Sequence, residues 1–341
     1  MIAEQTSAGP PGGRLFVTVL LLALGLALLV WQVRALEISP ADLRAGFSAV
    51  GGWFAVILLL SLVRFALRAY AWRVLTDRPL AFRTVLAATI GGDALGNVTP
   101  LGLLASEPAK ALYLRRVVDP AYALAALTAE NFFYSVSVAL YVIVATGAML
   151  ALFPIGPDVY WAGVTALGGM AVVLAGAAWL AWQRPTIASH VLARVPLPKL
   201  SAVVERVRVF ERATYGAAGP HRSRLATVGV CEAGFHALSF VECWLTFWLL
   251  TGVSSLLPAL IFDGFNRVVN VVFKPIPFRL GVEEGGTALL ATAIGLPASG
   301  GFLLGLVRKV RVIAWAGVGL ALWSRRTLHR EPAPRTEDPP R

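Results

Sequence analysis

The chain has 341 residues, of which 57% are hydrophobic and 14% are charged, and its mean hydropathy is +0.71. In a soluble domain about a quarter of the residues are charged, so this composition excludes an ordinary soluble protein and predicts a membrane domain. The net charge of +11 resides mainly in segments between apolar windows, which indicates membrane topology and not a nucleic-acid partner.

Six apolar windows are long enough to cross a bilayer, which takes about 20 residues of helix. Two further apolar regions, 84–114 and 255–297, are interrupted by Gly, Pro and charged residues. We therefore predict an all-α polytopic membrane protein with about six full transmembrane helices plus two re-entrant helical hairpins. If every hairpin arm crosses, the number of spans rises toward ten. The six windows are 15–33, 51–75, 121–153, 159–182, 225–251 and 300–323.

The basic residues are concentrated in alternate loops. Between positions 184 and 224 lie eight Arg or Lys against two Glu. By the positive-inside rule such loops and both termini are cytoplasmic, which predicts a multi-pass protein of the bacterial inner membrane. The transmembrane domain is predicted over 15–323, between an N-terminal segment over 1–14 and a disordered tail over 324–341. In this topology the two interrupted regions enter the membrane from opposite faces, as an inverted repeat.

The residue pattern of the two interrupted regions also repeats. A fourteen-residue stretch aligns without a gap on a second stretch 177 positions later, with Pro100 over Pro277 and Glu107 over Glu284. Five identities in fourteen can arise by chance in a chain rich in Ala and Leu. A repeated broken helix with a charge at membrane depth is, however, typical of a transporter binding site.

The first interrupted region carries polar side chains between glycines and prolines. Backbone broken in this way survives at membrane depth only inside protein or along a water-filled cavity. Glu107 and Lys110 are spaced as an ion pair on a resumed helix. We predict a functional hairpin, and the alternative is a kinked span that ends in a cytoplasmic cap. The candidate substrate-binding residues are Asp93, Asn97, Pro100, Glu107 and Lys110.

The second interrupted region is denser in charge. Asp263 and Arg267 lie one helical turn apart and can pair. A helix that begins after Gly281 would turn its free N–H groups toward the break. With Lys274 and Arg279 nearby, this predicts an anion pocket in which two adjacent glutamates pair with the bases; the alternative is an extracellular loop with ordinary charges. The candidate residues are Asp263, Arg267, Lys274, Pro277, Arg279, Gly281, Glu283 and Glu284.

Two candidate arginines lie inside the last apolar window, where a charge exposed to lipid costs about 2.5–3.5 kcal/mol. Too few residues follow them for a separate span, so the helix is predicted to run through this basic patch. Arg308 and Arg311 share a face and are expected to pair with Glu130, Glu284 or a lipid phosphate. The alternative is a shorter helix with both residues at an interface.

Other polar residues in apolar windows allow more than one interpretation. Glu232 and His236 are spaced for a hydrogen-bonded pair or for two metal ligands. Arg64 and Arg68 are expected to pair at depth or to reach the membrane surface along their own stems. Glu242 is a buried carboxylate without an evident partner.

The loop over 184–224 contains helically spaced apolar residues with interleaved arginines. This pattern fits a helix that binds anionic lipids of the inner leaflet, or a connector packed on the floor of the bundle. The chain has no G-x-x-x-x-G-K-[ST], H-E-x-x-H or paired C-x-x-C pattern. We therefore expect no cofactor, no metal site and no ATPase activity of the chain itself.

Three sequence elements resemble a known family. P-I-P-F-R-L-G-V-E-E-G-G, at 275–286, is similar to an element of the lysylphosphatidylglycerol synthase transmembrane region, also called flippase-like proteins. G-N-V-T-P-L-G-L-L-A-S-E-P-A-K-A, at 96–111, resembles that family's first element. L-T-A-E-N-F-F resembles its mid-span element, with Asn131 where Arg is usual. The form of the second element resembles the hopanoid-biosynthesis-associated branch most.

The resemblance implies movement of a polar-headed lipid between leaflets. Phe278 and Arg279 stand where the family usually has Gly-Gly. The aminoacyltransferase domain of full-length synthases does not occur in these 341 residues, so lipid lysinylation is not implied. The functional residues that the resemblance carries over are Pro100, Glu107, Glu130, Pro277, Gly281 and Glu284.

Our first functional hypothesis is a lipid translocase that is not an enzyme and whose substrate is a phospholipid or hopanoid. The alternatives are a membrane enzyme that modifies a lipid headgroup and a scaffold for lipid-biosynthesis enzymes. In the scaffold hypothesis the partners would bind the loop over 184–224.

Overall fold

The computed structural model describes residues 11–76, 78–99, 102–194, 201–217 and 222–328. Within these ranges the chain forms thirteen α-helices and one short 3-10 turn, Pro277–Arg279, and no β-strand. The predicted all-α membrane fold is confirmed. The helices are α1 Pro11–Ala35, α2 Pro40–Val50, α3 Trp53–Leu75, α4 Phe82–Val98, α5 Leu103–Tyr113, α6 Pro120–Leu152, α7 Pro157–Gln183, α8 Ile187–Ala193, α9 Ser201–Ala217, α10 Arg222–Thr251, α11 Leu256–Val272, α12 Val282–Ala293 and α13 Ala298–Leu328.

Five helices in the described part of the chain are long and apolar enough to cross a membrane: α1, α3, α6, α7 and α10. α13 has 31 residues, which is about 46 Å at 1.5 Å per residue. It carries Arg308, Lys309 and Arg311 in its middle, and all three are buried in the bundle. Because these charges do not meet lipid, we count α13 as the sixth span. The predicted continuity of the helix through the basic patch is confirmed.

Both interrupted regions form pairs of short helices. α4 and α5 have 17 and 11 residues, and α11 and α12 have 17 and 12. At 1.5 Å per residue the shorter arms extend about 17–18 Å, roughly half of the hydrocarbon core. α5 packs back against α4, and α12 packs against α11. α5 and α12 are too short to cross the hydrocarbon core, whereas α4 and α11, at 17 residues, are at the lower limit of a span.

The order of elements places the two hairpins at opposite faces of the membrane. α4 and α5 lie in the chain between α3 and α6, while α11 and α12 lie between α10 and α13. Three full spans, α6, α7 and α10, separate the hairpins. An odd number of crossings moves the chain to the other side of the bilayer, so the hairpins have the inverted relation that the charge pattern predicts. Which side is cytoplasmic stays a prediction.

Packing of the spans encloses the hairpins. α3 packs along α10, and α13 packs along both α4 and α12. α6 contacts α5 on one hairpin and α11 on the other. α7 lies at the periphery against α6, and the apolar window of α1 is mostly exposed, with its contacts on α12 and the 3-10 turn. The two hairpins therefore occupy the centre of the bundle.

The loop over 184–224 folds as α8 and α9, and α9 packs against α6 and α8. Ser189 donates to the Glu211 carboxylate at 2.7 Å and Tyr215 donates to the Pro185 carbonyl at 3.0 Å. This contact pattern favours the connector alternative, and binding of anionic lipid stays a prediction.

The final helix ends later than predicted. α13 continues to Leu328, five residues beyond the boundary at 323. Trp323 packs edge-on to the Tyr113 ring, and the Arg326 guanidinium lies 4.4 Å from the centre of the same ring. These contacts with the first hairpin hold the last turns of α13. The remaining predicted tail, 329–341, and residues 1–10 of the N-terminal segment lie outside the described residues.

Candidate functional site

The two breaks meet inside the bundle. Asn97, at the end of α4, accepts a hydrogen bond at 3.0 Å from Arg279, in the turn before α12. Gly102, which precedes α5, has φ +45°, and a Cβ there would lie 2.8 Å from Cγ of Lys274. The two hairpins therefore converge at this point of the structure. Pro277 is buried and begins the 3-10 turn, whereas Pro100 lies outside the described residues.

The first hairpin holds its polar groups by local contacts. Asn97 donates to the Asp93 carboxylate at 2.9 Å, one turn earlier in α4. Lys110 and Glu107 form the predicted ion pair at 2.9 Å on α5. Asn131 of α6 donates to the other Glu107 oxygen at 2.9 Å, which fixes the carboxylate between two helices. Lys110 is buried against neighbouring helices. This favours the hairpin over the alternative of a simple cytoplasmic cap, which stays open.

Glu130 is held by an arginine that the sequence left unassigned. Arg68 donates from Nε and Nη2 to the two Glu130 oxygens at 2.8 and 2.6 Å. Arg68 also donates to Asn131 at 3.0 Å and lies over the Tyr134 ring. Glu107, Asn131, Arg68 and Glu130 thus form one connected network. Of the two alternatives for Arg68, the structure shows pairing at depth, since a buried carboxylate binds the Nε–Nη2 edge of its guanidinium.

Asp263 is the centre of a second buried cluster. Arg267 donates to one Asp263 oxygen at 2.9 Å, as the helical spacing predicts, and Arg308 and Ser239 donate to the other at 2.7 and 2.8 Å. The carboxylate that pairs with Arg308 is Asp263 and neither Glu130 nor Glu284. Binding of a lipid phosphate by Arg308 stays a prediction.

Glu242 is not an isolated carboxylate. Arg64 of α3 pairs with it at 2.9 Å, and Arg311 of α13 binds its other oxygen. The carboxylate that pairs with Arg311 is therefore Glu242 and neither Glu130 nor Glu284, and Arg64 does not extend to the membrane surface. Three spans meet around this one carboxylate, which makes it a structural junction between α3, α10 and α13.

Lys309 is the main residue that the sequence analysis missed. Its Nζ lies 2.9 Å from Glu283 and 3.5 Å from Glu284, and it also donates to the Phe278 carbonyl. Asn266 donates to the second Glu283 oxygen at 2.5 Å. The prediction that the glutamates pair with Lys274 and Arg279 is therefore wrong. The only sequence signal for Lys309 was its position inside the basic patch of the last window.

The turn before α12 has unusual backbone geometry. Phe278 and Arg279 both have φ near +53°, and Gly281 has φ +78°. Left-handed backbone costs a residue with a Cβ about 1–2 kcal/mol. The chain thus adopts at Phe278 and Arg279 the conformations that Gly-Gly would take without strain. Glu284 then accepts from the Gly281 N–H at 2.9 Å and caps α12.

Two cations of the site remain without a carboxylate. Seven other Lys or Arg side chains of the bundle are buried or partly buried and form an ion pair. They are Arg64, Arg68, Lys110, Arg267, Arg308, Lys309 and Arg311. Lys274 and Arg279 have no such partner among the residues that the structure describes. Nε of Arg279 is buried without a hydrogen bond, and Asp93, Glu107, Lys110 and Arg68 lie within electrostatic range of Lys274.

Glu232 and His236 do not bond to each other. Ser137 lies between them, 3.3 Å from the Glu232 carboxylate and 2.9 Å from Nε2 of His236. Across the described ranges no group of three or more His, Cys, Asp or Glu side chains is arranged to hold a metal ion. Cys231 and Cys243 are buried and free.

These features define a polytopic helical membrane protein with two inverted, interrupted hairpins and a polar centre. The chain belongs to the lysylphosphatidylglycerol synthase transmembrane region family, whose model matches residues 16–321. Comparison with curated proteins and with solved structures finds no match. Family membership indicates a role connected with membrane lipid.

Proposed function

We propose that the protein moves a polar-headed lipid, a phospholipid or hopanoid, between the leaflets of the bacterial inner membrane. It does so as a transporter and not as an enzyme. The observation that carries the proposal is the meeting of two inverted hairpins at Lys274 and Arg279. These two cations form no ion pair with a described carboxylate, whereas every other cation of the polar centre that the structure describes does.

An anionic headgroup would replace the missing carboxylate. Lys274 belongs to the second break but lies against Gly102 of the first, so a phosphate bound by Lys274 touches both hairpins. Arg279 presents a buried, unbonded Nε and is tied to the first hairpin only through the neutral Asn97. Arginine suits phosphate because its planar guanidinium can donate two parallel hydrogen bonds.

In the proposal, the inverted arrangement of the two hairpins provides the path of the lipid from one leaflet to the other. In transporters with inverted repeats, alternating movement of one repeat against the other opens a central site to each face in turn. The first hairpin is the element that moves in our proposal, since its ion pair is local to α5. The chain carries no nucleotide-binding motif of the P-loop type. The energy source in the proposal is therefore a lipid or ion gradient.

The proposal is tested with purified protein in liposomes that contain a fluorescent anionic phospholipid in both leaflets. Chemical quenching from outside measures the rate at which inner-leaflet lipid appears outside. Wild-type protein is expected to raise this rate above that of protein-free liposomes. Lys274→Gln and Arg279→Gln each remove a charge-assisted contact worth about 1.5–3 kcal/mol, so a drop of about tenfold or more is expected.

Arg115→Gln is the control, because Arg115 is an exposed arginine that follows the first hairpin. Its rate should equal that of the wild type. Equal rates in wild-type and protein-free liposomes would contradict the proposal. A lipid product of altered mass after incubation would instead indicate an enzyme that modifies the headgroup.

A further inference from the structure

One buried carboxylate of the bundle differs from the rest. Six Glu or Asp side chains in the described ranges are less than a tenth exposed. Glu130, Glu242, Asp263, Glu283 and Glu284 each form an ion pair with Lys or Arg. Glu232 is 4% exposed and has no ion pair, and its Oε1 has no hydrogen bond in this part of the chain. An ionised carboxylate in that position would be uncompensated, which is costly in a medium of low dielectric constant.

Glu232 is connected to the one buried histidine that the structure describes. Ser137 of α6 stands between Oε2 of Glu232 and Nε2 of His236 at 3.3 and 2.9 Å. His236 is 7% exposed, its ring is stacked on Tyr141, and its Nδ1 has no hydrogen bond. The chain of three groups therefore has an open polar atom at each end.

We propose that Glu232, Ser137 and His236 form an intramembrane proton-binding relay. Glu232 holds a proton at neutral pH and is neutral in the resting protein. When the relay acts, the Ser137 hydroxyl turns from the Tyr134 carbonyl, to which it donates at 2.9 Å, and passes its proton to Nε2 of His236 while the Glu232 proton passes to Ser137 Oγ. The His236 ring releases its Nδ1 proton in the same exchange. The products are a Glu232 carboxylate, a neutral imidazole and one released proton, so no atom or electron is left over.

The surroundings of the relay favour this assignment. His236 borders an open apolar groove of about 440 Å³ with Tyr141, Phe240 and residues at the start of α11. Glu232 lies one turn earlier in α10 and faces the network of Arg68 and Glu130. The relay thus lies at the middle of α10, beside the network that ends at Glu107. The charged and titratable groups around it are Arg64 and Arg68 of α3, Glu130, Tyr134 and Tyr141 of α6, Cys231 of α10, and Asp263 and Arg267 of α11.

Infrared spectroscopy of the full-length protein in membranes at neutral pH tests whether Glu232 is protonated. The carbonyl stretch of a protonated carboxylic acid is separate from that of a carboxylate. The wild type should show such a band, Glu232→Gln should lose it, and the exposed control Glu205→Gln should keep it. Absence of the band in the wild type, or its persistence in Glu232→Gln, would overturn the proposal.

Two serine variants test the connection without removing either titratable group. Ser137→Ala removes the bridge, so the Glu232 band is expected to shift as Oε2 loses its hydrogen bond. Ser135→Ala, on an exposed position of the same helix, should leave the band where it is. An unshifted band in Ser137→Ala would show that the three groups do not form a relay.

Coupling of the relay to transport rests on the proposed function and is measured separately. In the liposome assay, an imposed pH gradient should change the rate of lipid movement by the wild type, while Glu232→Gln should retain the rate without a gradient and lose the response. A response equal to that of the wild type would refute the coupling. If no protein moves lipid, the proposed function fails, and the infrared band still decides whether Glu232 holds the proton.

Discussion

The two hairpins place a glutamate at the same position of the repeat and stabilise it differently. Glu107 pairs with Lys110 on its own helix, three residues away, and the Glu107 side chain is 15% exposed. Glu284 is 0% exposed and pairs with Lys309 on another helix, at a sequence distance of 25 residues. A local pair moves with its helix, whereas a pair between helices holds two elements together. The comparison indicates that the second hairpin is anchored by ion pairs to another helix, whereas the first is held to its neighbours by hydrogen bonds of the neutral side chains Asn131 and Asn97.

The largest difference between the hairpins is expected when each lysine is removed. Lys309→Met leaves Glu283 and Glu284 buried without a cation, and breaking a buried pair in this way costs about 3–5 kcal/mol. Lys110→Met leaves a partly exposed Glu107 that Asn131 still binds, so its cost is expected to be smaller. Thermal unfolding in detergent, followed by size-exclusion chromatography, measures both. Equal losses of stability would contradict an anchored second hairpin.

Removing the charge of Glu242 should reduce stability by an amount between the losses of those two lysine variants. Glu242→Gln leaves Arg64 and Arg311 without their shared carboxylate, but the glutamine oxygen can still accept from one of them. We expect a loss of about 2–3 kcal/mol, the upper range for hydrogen bonds to charged groups. The same unfolding assay reads the effect. A variant as stable as wild type would show that this junction does not join α3 to α13.

Glycine substitutions in the turn of the second hairpin are expected to have a smaller effect on stability, and the chain offers a matched control for them. Gly281 and Gly295 have nearly the same φ, 78° and 77°. A Cβ on Gly281 would lie 2.9 Å from the Gly25 carbonyl of α1, whereas a Cβ on Gly295 meets nothing within 4 Å. Gly295→Ala should therefore cost only the backbone strain of about 1–2 kcal/mol. Gly281→Ala should cost more and should loosen α1, as measured by protease access to the N-terminal helix.

If Gly281→Ala and Gly295→Ala prove equally stable and equally resistant to protease, the close packing of α1 on the break is wrong. A larger loss in Gly281→Ala than in Gly295→Ala, with protease access to α1 increased only in Gly281→Ala, would confirm that α1 is held at this point.

Much of the fold could be predicted from the sequence because apolar length and interruptions are local properties. The hairpins, the continuous last helix, and the pairs Glu107–Lys110 and Asp263–Arg267 all follow from spacing along one element. The inverted relation followed from charge bias and is supported independently by the number of full spans.

Partners across helices could not be predicted in the same way. Three ion pairs between helices join residues that are 26, 62 and 69 positions apart in the sequence. These pairs are Lys309–Glu283, Arg68–Glu130 and Arg311–Glu242. Spacing within a helix carries no information about such pairs, since they depend on how each helix is rotated. The need for a partner was predictable from burial, but its identity was not.

The backbone of the second break shows another limit. Phe278 and Arg279 adopt left-handed conformations that sequence rules assign to glycine. Surrounding contacts hold them there, including the bond from Arg279 to Asn97 and that from Lys309 to the Phe278 carbonyl. Strained backbone at a ligand site persists when neighbouring structure determines it.

The most direct test of the account is the distance between the two breaks in a membrane. With Cys231 and Cys243 replaced by Ser, Asn97→Cys and Arg279→Cys are combined and treated with a short bifunctional thiol reagent. An exposed pair on α9, Glu205→Cys with Arg208→Cys, verifies that the reagent works. We predict an intramolecular cross-link between positions 97 and 279, detected by mass spectrometry. Two singly modified cysteines with no link, while the control pair links fully, would contradict a shared site.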